Sequence, residues 1–167
     1  MASRHVDDSG FVAARPEQVF DFVDDHARFS SHMSQSSWMM GGGRMSIEVD
    51  DAKGQTVGSH VRLAGRFLGL SLSLDEVVTR RIPPFEKAWD TVGDPHLIVI
   101  GPYRMGVEIR PETQGSRLRV FIDFDFPGGL VTYWLGRLFG RLYAKWCVRQ
   151  MLQGVVRHFE ASAASAA

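Results

Sequence analysis

Few side chains in this sequence stand where they could do chemistry, and Glu76 is the first candidate. It shares the parity of Leu70, Leu72 and Leu74 in an alternating segment, so an unbroken strand would turn its carboxyl group inward. A buried carboxyl group has a raised pKa and could act as a general acid or base. Because glutamate is rarely buried without a partner, we favour a bulge or a strand end that returns Glu76 to water.

Tyr103 is the second candidate, because it falls on the inward-facing parity of its predicted strand. Its hydroxyl group would need a hydrogen-bond partner inside the protein, and we favour a backbone partner over a bound ligand. Trp89 could face inward from a short neighbouring strand and form part of a cavity wall. Glu76 and Tyr103 are therefore the two candidate catalytic residues, and neither is assigned to a reaction by the sequence.

No combination of residues predicts a metal, nucleotide or nucleophile site. The six histidines are scattered without the spacing of a metal motif, at His5, His26, His32, His60, His96 and His158. The single cysteine, Cys147, has apolar neighbours and is interpreted as a small buried hydrophobic residue. The glycines at 41–43 lack the lysine and hydroxyl residues of a phosphate-binding loop. We expect no metal and no cofactor.

The composition is that of one globular domain without a strong electrostatic field. Of the 167 residues 44% are hydrophobic and 23% are charged, and 19 basic residues balance 19 acidic ones. The length fits a single domain, and the zero net charge provides no attraction to nucleic acid. The polar N-terminus lacks an export signal, and no run of about 18 apolar residues could span a bilayer. We expect a cytoplasmic monomer or homodimer that binds no nucleic acid and does not insert stably into membranes.

Residues 44–126 are predicted to form a series of strands with one buried and one exposed face. The predicted strands are 44–51, 57–67, 70–74, 86–92, 97–110 and 117–126. The last is the clearest, since polar side chains alternate with Leu118, Val120, Ile122, Phe124 and Phe126. This pattern indicates an antiparallel sheet with one face on the core and the other in water.

A short extended stretch at 11–15, followed by a short helix, is predicted before these strands. Pro16 suits the first helical position, and Glu17 follows in the first turn, where a negative charge is favourable. Val19, Phe20 and Val23 then form an apolar stripe at helical spacing. A second short helix is predicted at 26–33.

A much longer helix is predicted after the strands. The segment 130–159 contains no proline and would form a helix of about 45 Å. Its predicted apolar face consists of Trp134, Leu135, Leu138, Phe139, Leu142, Trp146, Leu152, Val156 and Phe159. A helix this long must lie along the sheet. We expect one domain over 1–160, with a frayed tail at 161–167.

Two motifs and the order of elements resemble the START/polyketide-cyclase superfamily. The segment ARPEQVF at 14–20, followed by Asp24, is similar to the motif that opens this family, and WLGRLFGRLY at 134–143 resembles the start of its terminal helix. The resemblance covers nearly the whole chain and implies an α+β helix-grip fold. In that fold a curved antiparallel sheet of about seven strands, two short helices and one long C-terminal helix enclose a cavity. Members carry or modify lipids, sterols, polyketides and plant hormones, and some bind partner proteins.

The implied cavity lies between the concave face of the sheet and the long helix. We predict that an apolar small molecule contacts Leu63, Leu72, Trp89, Tyr103, Met105, Val120, Ile122, Phe124, Leu138 and Leu142 there. Many relatives have a tryptophan at the end of the second helix, and Trp38 could replace it from the next loop. Four methionines lie around that loop: Met33, Met39, Met40 and Met45. They could form an adaptable apolar lid or fill gaps in the core, and we favour neither interpretation.

Basic side chains recur along the long helix at multiples of four, at Arg137, Arg141, Lys145, Arg149 and Arg157. We favour a solvated outer face for them, with contact to anionic lipid as the alternative. Gly136 and Gly140 are separated by the same interval. We interpret this pair as permitting close contact between helix and sheet rather than dimerisation in a membrane.

The sequence leaves three functions open. A binding or carrier domain for an apolar small molecule, such as a lipid or polyketide, is favoured because no recognisable catalytic set is present. The first alternative is an enzyme similar to polyketide cyclases or dehydratases, in which Glu76 or Tyr103 moves protons. The second alternative is a protein-interaction module that uses the basic and aromatic end of the long helix. We expect binding rather than catalysis.

Overall fold

The computed structural model describes residues 4–29, 45–67 and 70–165. Within these ranges seven strands and three helices follow one another along the chain. The strands are β1 (Arg4–Val12), β2 (Met45–Val49), β3 (His60–Phe67), β4 (Leu70–Ile82), β5 (Glu86–His96), β6 (Tyr103–Glu112) and β7 (Gly115–Phe124). The helices are α1 (Pro16–Asp24), α2 (His26–Phe29) and α3 (Leu130–Ser165).

All seven strands belong to one antiparallel sheet, in the order β1-β7-β6-β5-β4-β3-β2. Each strand from β2 to β6 pairs with the next one along the chain, and β1 pairs with β7 at one edge. The long helix α3 packs against β1 and β7, and α1 packs against β6 and β7. The predicted α+β helix-grip fold is confirmed.

The strand β1 is longer than the short extended stretch that the sequence predicts before Pro16. Its residues are mostly polar and exposed, and the buried apolar ones are Val6 and Val12. In the register with β7, Val6 lies opposite Ile122 and Val12 opposite Ser116. An edge strand with one face in water needs few apolar residues to pair, which is why its hydrophobic pattern is weak.

The helix α1 begins where the sequence predicts, with Pro16 at its first position. The side-chain oxygen of Gln18 accepts a hydrogen bond from the backbone N–H of Arg15 at 3.1 Å, which satisfies one donor at the helix start. The predicted apolar stripe of α1 is buried in the core. The predicted second helix is present as α2 up to Phe29, and its remaining residues lie outside the described ranges.

Several predicted strand limits were wrong. β4 continues to Ile82, well past residue 74, and the strand predicted to begin at residue 97 begins only at Tyr103. Val57 was predicted to face inward from a strand, but it lies in a turn and is 62% exposed. The next residue, Gly58, has a φ of +88°, a conformation that suits glycine and ends the strand pattern.

The helix α3 extends to Ser165, past residue 159, where the sequence predicts its end. Alanine has the highest intrinsic helix propensity, and the alanines at 161, 163 and 164 continue the helix while exposed to solvent. The buried residues of α3 lie mainly in its middle: Ala144, Cys147, Val148, Met151, Leu152 and Val155.

The first half of α3 turns its small residues, rather than its large ones, toward the rest of the protein. A Cβ atom at Gly140 would lie 2.7 Å from the carbonyl oxygen of Val99. A Cβ atom at Gly136 would lie 3.0 Å from the same oxygen and 2.8 Å from Cδ of Pro127. The interpretation of this glycine pair as permitting close packing is confirmed, and the large apolar side chains between the glycines point away from the core.

Candidate functional site

Two side chains from the described part of the chain donate hydrogen bonds to the carboxyl group of Glu76, which lies on β4. The indole N–H of Trp89, on β5, donates to Oε1 of Glu76 at 3.1 Å. The hydroxyl of Tyr103, at the start of β6, donates to the same oxygen. Glu76 is only 3% exposed, so the prediction that it returns to water was wrong.

The continuity of β4 explains why this carboxyl group stays inside. Register shifts against β5 occur at 73–75 and at 78–80, on either side of the site. Between them the alternation is regular, and Leu74, Glu76 and Val78 are all buried. The carboxyl group therefore lies in the middle of a strand, on the face that packs into the core.

Tyr103 is held in place through its backbone as well as its hydroxyl group. The Thr91 hydroxyl donates to the carbonyl oxygen of Tyr103 at 3.2 Å, and the Tyr103 N–H donates to Oγ1 of Thr91 at 2.9 Å. Thr91 lies directly opposite Glu76 in the register of β4 and β5. The three residues thus form a row across three strands. The predicted backbone partner for the tyrosine hydroxyl was wrong, because the partner is a side chain two strands away.

Electrostatics keep this tyrosine protonated. Burial raises the pKa of Tyr103 well above its ordinary value of 10.0, and the charge and hydrogen bond of Glu76 raise it further. Burial also raises the pKa of Tyr143, on the facing helix, with Cys147 as the next cause. At neutral pH both tyrosines therefore act as hydrogen-bond donors.

A narrow pocket lies beside these polar groups, between the sheet and α3. Its walls are mainly apolar, formed by Leu74, Trp89, Leu97, Ile100, Tyr103, Met105, Ile122, Tyr143, Cys147 and Met151 together with Glu76. About 30 Å³ of the pocket is open to the centres of water molecules, which is room for two or three waters at about 10–15 Å³ each. A larger molecule could enter only if side chains moved apart.

The thiol of Cys147 forms part of the pocket wall. It is buried, and burial raises its pKa to about 12, against an opposing effect of a hydrogen bond with Tyr143. Nucleophilic reactions of cysteine require the thiolate. The interpretation of Cys147 as a buried hydrophobic residue is therefore confirmed.

The sequence matches one protein family over nearly its whole length. The family is described as polyketide cyclase/dehydrase and lipid transport, and the match covers residues 3–160. The chain belongs to this family. The predicted membership of the START/polyketide cyclase-like superfamily is confirmed, and the family supports the prediction of a ligand-binding domain. No curated protein matches the sequence significantly.

Several proteins of known structure share the fold of this chain. The Zhui aromatase/cyclase from Streptomyces sp. R1128 is 15% identical, with a TM-score of 0.70 over 95% of this chain and 94% of that one. TTHA0849 from Thermus thermophilus is 13% identical, with a TM-score of 0.68 over 95% and 99% of the two chains. The di-domain aromatase/cyclase StfQ of the steffimycin biosynthetic pathway is 10% identical, with a TM-score of 0.66 over 98% of this chain and 53% of that one. At these identities the similarity shows the fold alone.

The structure brings only part of the predicted binding set to the pocket of this polyketide cyclase-like domain. Trp89, Tyr103, Met105 and Ile122 line the pocket together with Glu76. The other predicted sheet residues pack nearby: Val120 and Phe124 are buried in the main core, and Leu63 and Leu72 belong to a smaller cluster around Val61 and Leu74.

The predicted helix residues do not reach the pocket. Leu138 is 70% exposed and Leu142 is 60% exposed, and their assignment as ligand contacts stays a prediction. Their face of α3 is turned outward because Gly136 and Gly140 occupy the contact with the neighbouring loop. The last predicted residue, Trp38, lies outside the described residues, as do Met33, Met39 and Met40.

The helix contributes a different set of residues to the pocket. Tyr143, Cys147 and Met151 follow one another at intervals of four and line the pocket from α3. This spacing was a detectable signal, since residues four apart share a helix face. The bulkier leucines and tryptophans of the same helix give a stronger signal for a different face.

A second buried polar cluster lies near the end of α1. The ammonium of Lys87 donates to the backbone oxygen of Asp24 at 2.8 Å and lies 3.1 Å from its Oδ1. Arg81 also donates to the Asp24 carboxylate, at 2.9 Å from Nη2 to Oδ2. Burial alone would raise the pKa of Asp24, but the hydrogen bond from Arg81 and the charge of Lys87 lower it. These groups satisfy one another and join α1 to the sheet.

The sequence predicts neither a metal site nor a membrane-spanning helix, and the structure can be compared with both predictions over the described part of the chain. No group of three or more histidine, cysteine, aspartate or glutamate residues there could hold a metal ion, and the absence of a metal in the functional protein stays a prediction. None of the described helices is long and apolar enough to cross a membrane.

Proposed function

We propose that the pocket beside Glu76 binds an apolar small molecule that carries one polar group. The observation behind this proposal is the hydrogen bond from Tyr103 to Glu76 at one wall of an otherwise apolar pocket. In such sites apolar walls supply affinity, and a few placed polar groups orient the ligand. A hydroxyl or carbonyl group of the ligand would exchange hydrogen bonds with this pair. Lipids and polyketides, the molecules in the family's description, have this chemistry.

Binding of such a molecule requires the pocket to widen, and Leu97 is the residue best placed to move. It lies in the segment between β5 and β6, outside regular structure. Its side chain is partly buried and packs against both hydrophobic clusters. We infer that displacement of Leu97 opens the pocket without breaking the hydrogen bonds of a strand.

Native mass spectrometry of the protein, purified without detergent, tests this proposal. We expect a bound small molecule, released by solvent extraction and identified by its mass. Leu97→Trp should narrow the pocket and lower the bound fraction, whereas Val92→Trp, on the exposed part of β5, should leave it unchanged. A preparation that stays empty in the presence of long-chain lipids and aromatic polyketides, or equal occupancy in both variants, would contradict the proposal.

Catalysis on the bound molecule is the second candidate function, favoured by the pairing of a buried carboxyl group with a protonated phenol. As carboxylate, Glu76 could accept a proton from a carbon beside a carbonyl group. Tyr103 could then stabilise the resulting enolate oxygen by donating a hydrogen bond. The aromatase/cyclase names of two structural neighbours suggest a polyketide as the substrate.

Kinetic measurements on two conservative variants distinguish an enzyme from a carrier protein. For an enzyme, Glu76→Gln and Tyr103→Phe should each lower kcat on a polyketide thioester by about 100-fold or more. For a carrier, the wild type should show no turnover, and both variants should change the bound fraction. Turnover that neither variant affects would remove these two residues from any catalytic role.

We include in the proposal a cytoplasmic location and a monomeric or homodimeric state. Both are expectations from the composition of the sequence. Fractionation of the native cells and sedimentation of the purified protein would test them.

A further inference from the structure

The first half of α3 presents a row of large apolar side chains to solvent. The row consists of Trp134, Leu138 and Leu142, which follow one another at intervals of four and are 53%, 70% and 60% exposed. Single exposed apolar residues are ordinary on a protein surface. A contiguous group is not, and Leu130, Val131 and Phe139 of the same helix are at least half exposed as well. Such patches mark surfaces that contact another phase or another molecule.

A basic row runs beside the apolar row along the same helix. Arg137, Arg141 and Lys145 each lie three residues after a member of the apolar row and are exposed. Three residues correspond to a separation of about 60° around a helix. The segment 130–159 contains no aspartate or glutamate, and none of these three cations forms an ion pair with a residue that the structure describes. The two rows together make an apolar stripe with a positive border.

A further cation lies at the N-terminal end of this helix. The guanidinium group of Arg4 lies 3.4 Å from the ring centroid of Phe126, and that ring contacts Tyr133 on α3 edge-on at 5.3 Å. Arg137 lies 5.7 Å from the ring centroid of Trp134. Aromatic and basic side chains are thus interleaved around the apolar row, the composition that suits the boundary between lipid headgroups and acyl chains.

We propose that this face of α3 docks reversibly on the anionic surface of a lipid bilayer. The apolar row would enter the boundary between headgroups and acyl chains, and the basic row would pair with lipid phosphates. A second copy of the chain is a poorer occupant of this face. Symmetric pairing through it would bring two uncompensated basic rows together, and juxtaposed like charges oppose association.

The docking face adjoins the proposed ligand pocket. Tyr143, which lines the pocket, directly follows Leu142 of the apolar row. A domain docked in this way would hold its pocket near the membrane, where apolar molecules accumulate. The docking proposal nevertheless depends on the surface of α3 alone, so a protein with an empty pocket should still bind vesicles.

Sedimentation with lipid vesicles tests docking. We expect binding to vesicles of equal parts phosphatidylcholine and phosphatidylglycerol, weak or no binding to phosphatidylcholine alone, and loss of binding as salt is raised. The double variant Arg137→Glu/Arg141→Glu should weaken binding at least about tenfold. Leu138→Ser/Leu142→Ser should weaken it as well, and circular dichroism should show that both variants remain folded.

Matched controls separate this face from the general charge and hydrophobicity of the protein. Arg62→Glu/Arg110→Glu makes the same change in net charge at positions that are 67% and 79% exposed in their side chains. Val57→Ser/Ile82→Ser removes two other exposed apolar side chains. Both controls should bind vesicles like the wild type.

Three results would overturn the proposal. One is an absence of binding to the vesicles that contain phosphatidylglycerol, and another is an equal loss of binding in the controls and the α3 variants. The third is a dimer in sedimentation velocity that Leu138→Ser/Leu142→Ser converts to a monomer, because the face would then be covered by a second copy.

Discussion

Tyr103 and Glu76 lie 27 residues apart in the sequence and on strands separated by β5, and the Tyr103 hydroxyl donates a hydrogen bond to Oε1 of Glu76. This bond crosses the centre of the sheet on its buried face. A carboxyl group in such a place is tolerated when its oxygens are hydrogen-bonded. The hydrogen bond between Tyr103 and Glu76 therefore contributes to the stability of the fold, and the same two residues place polar groups in the wall of the pocket.

Removal of the tyrosine hydroxyl should destabilise the protein. Tyr103→Phe takes one donor from a buried carboxyl group, and we expect the free energy of unfolding to fall by about 1–3 kcal/mol. Urea denaturation followed by circular dichroism measures this change. Tyr133→Phe, at an exposed position on α3, is the matched control and should have a much smaller effect. Equal effects of the two substitutions would show that the hydrogen bond to Glu76 adds no stability.

Alkaline pH should destabilise the protein through its buried tyrosines. The pKa values of Tyr103 and Tyr143 are raised by burial above the ordinary 10.0. Above pH 10 the unfolded chain releases these protons while the folded state keeps them, so the free energy of unfolding decreases as pH rises. Below that pH the contribution is complete. Urea midpoints measured across this range should fall less in Tyr103→Phe than in the wild type, and parallel curves for the two proteins would contradict the assignment.

The thiol of Cys147 should react slowly in the folded protein. Its pKa is raised to about 12 by burial, so the thiolate that attacks alkylating reagents is scarce at neutral pH. Iodoacetamide labelling followed by mass spectrometry should be slow in buffer and rapid in denaturant. The denatured sample is the control, because Cys147 is the one cysteine of the chain. Rapid labelling of the folded protein would place this thiol at the surface.

Removal of a charge from the buried ion cluster should lower the free energy of unfolding more than removal of a charge from the surface. Lys87→Met leaves the buried Asp24 carboxylate without its fully buried partner, and we expect a loss of about 3–5 kcal/mol in the free energy of unfolding. Lys145→Met, at an exposed position on α3, is the control. A loss below that of the control would mean that Arg81 alone compensates Asp24.

The same cluster predicts a dependence on acid. The pKa of Asp24 is lowered in the folded state from 3.8, so its contribution to stability is present above that value and disappears as pH falls below it. Asp24→Asn should lower stability at neutral pH and reduce the further loss on acidification. Acid titrations of the wild type and the variant that decline in parallel would contradict this.

Close packing of α3 should make Gly140 intolerant of a methyl group. Gly140→Ala places Cβ 2.7 Å from the carbonyl oxygen of Val99 and should lower the melting temperature. Gly154→Ala, on the same helix with no atom near the new Cβ, should instead stabilise the protein by about 0.5–1 kcal/mol, because alanine favours helix over glycine. Calorimetry of both variants would test this, and a stabilised Gly140→Ala would mean that the helix moves outward at little cost.

Most of the fold could be predicted from local patterns, because hydrophobic period and turn residues report directly on strands and helices. The alternation at 117–126, most of which lies in β7, and the start of α1 at Pro16 both have strong local signals. β1 was underestimated because an edge strand with polar residues has a weak signal. The ends of β4 and β6 depend on pairing with neighbours, which the chain does not encode locally.

The candidate site was predictable only in part. Parity indicated that Tyr103 and Trp89 face inward, yet the same parity for Glu76 was discounted because an unpaired buried carboxyl group is costly. The donors that the structure describes, Trp89 and Tyr103, come from other strands, and no local sequence pattern predicts that they meet Glu76. The same limit applies to α3. Close packing at Gly136 and Gly140 turns the leucine face outward. The face of Tyr143, Cys147 and Met151 lines the pocket.

The sequence alone determined the class of this protein, which is a curved antiparallel sheet with a long terminal helix. It also determined the family, which is described as polyketide cyclase/dehydrase and lipid transport. The tertiary structure decided which polar groups meet inside and which apolar groups remain outside. Period and propensity are properties of neighbours in the chain, whereas the partners of Glu76 and the exposure of Leu138 depend on strand register and helix rotation, which only the packed molecule defines.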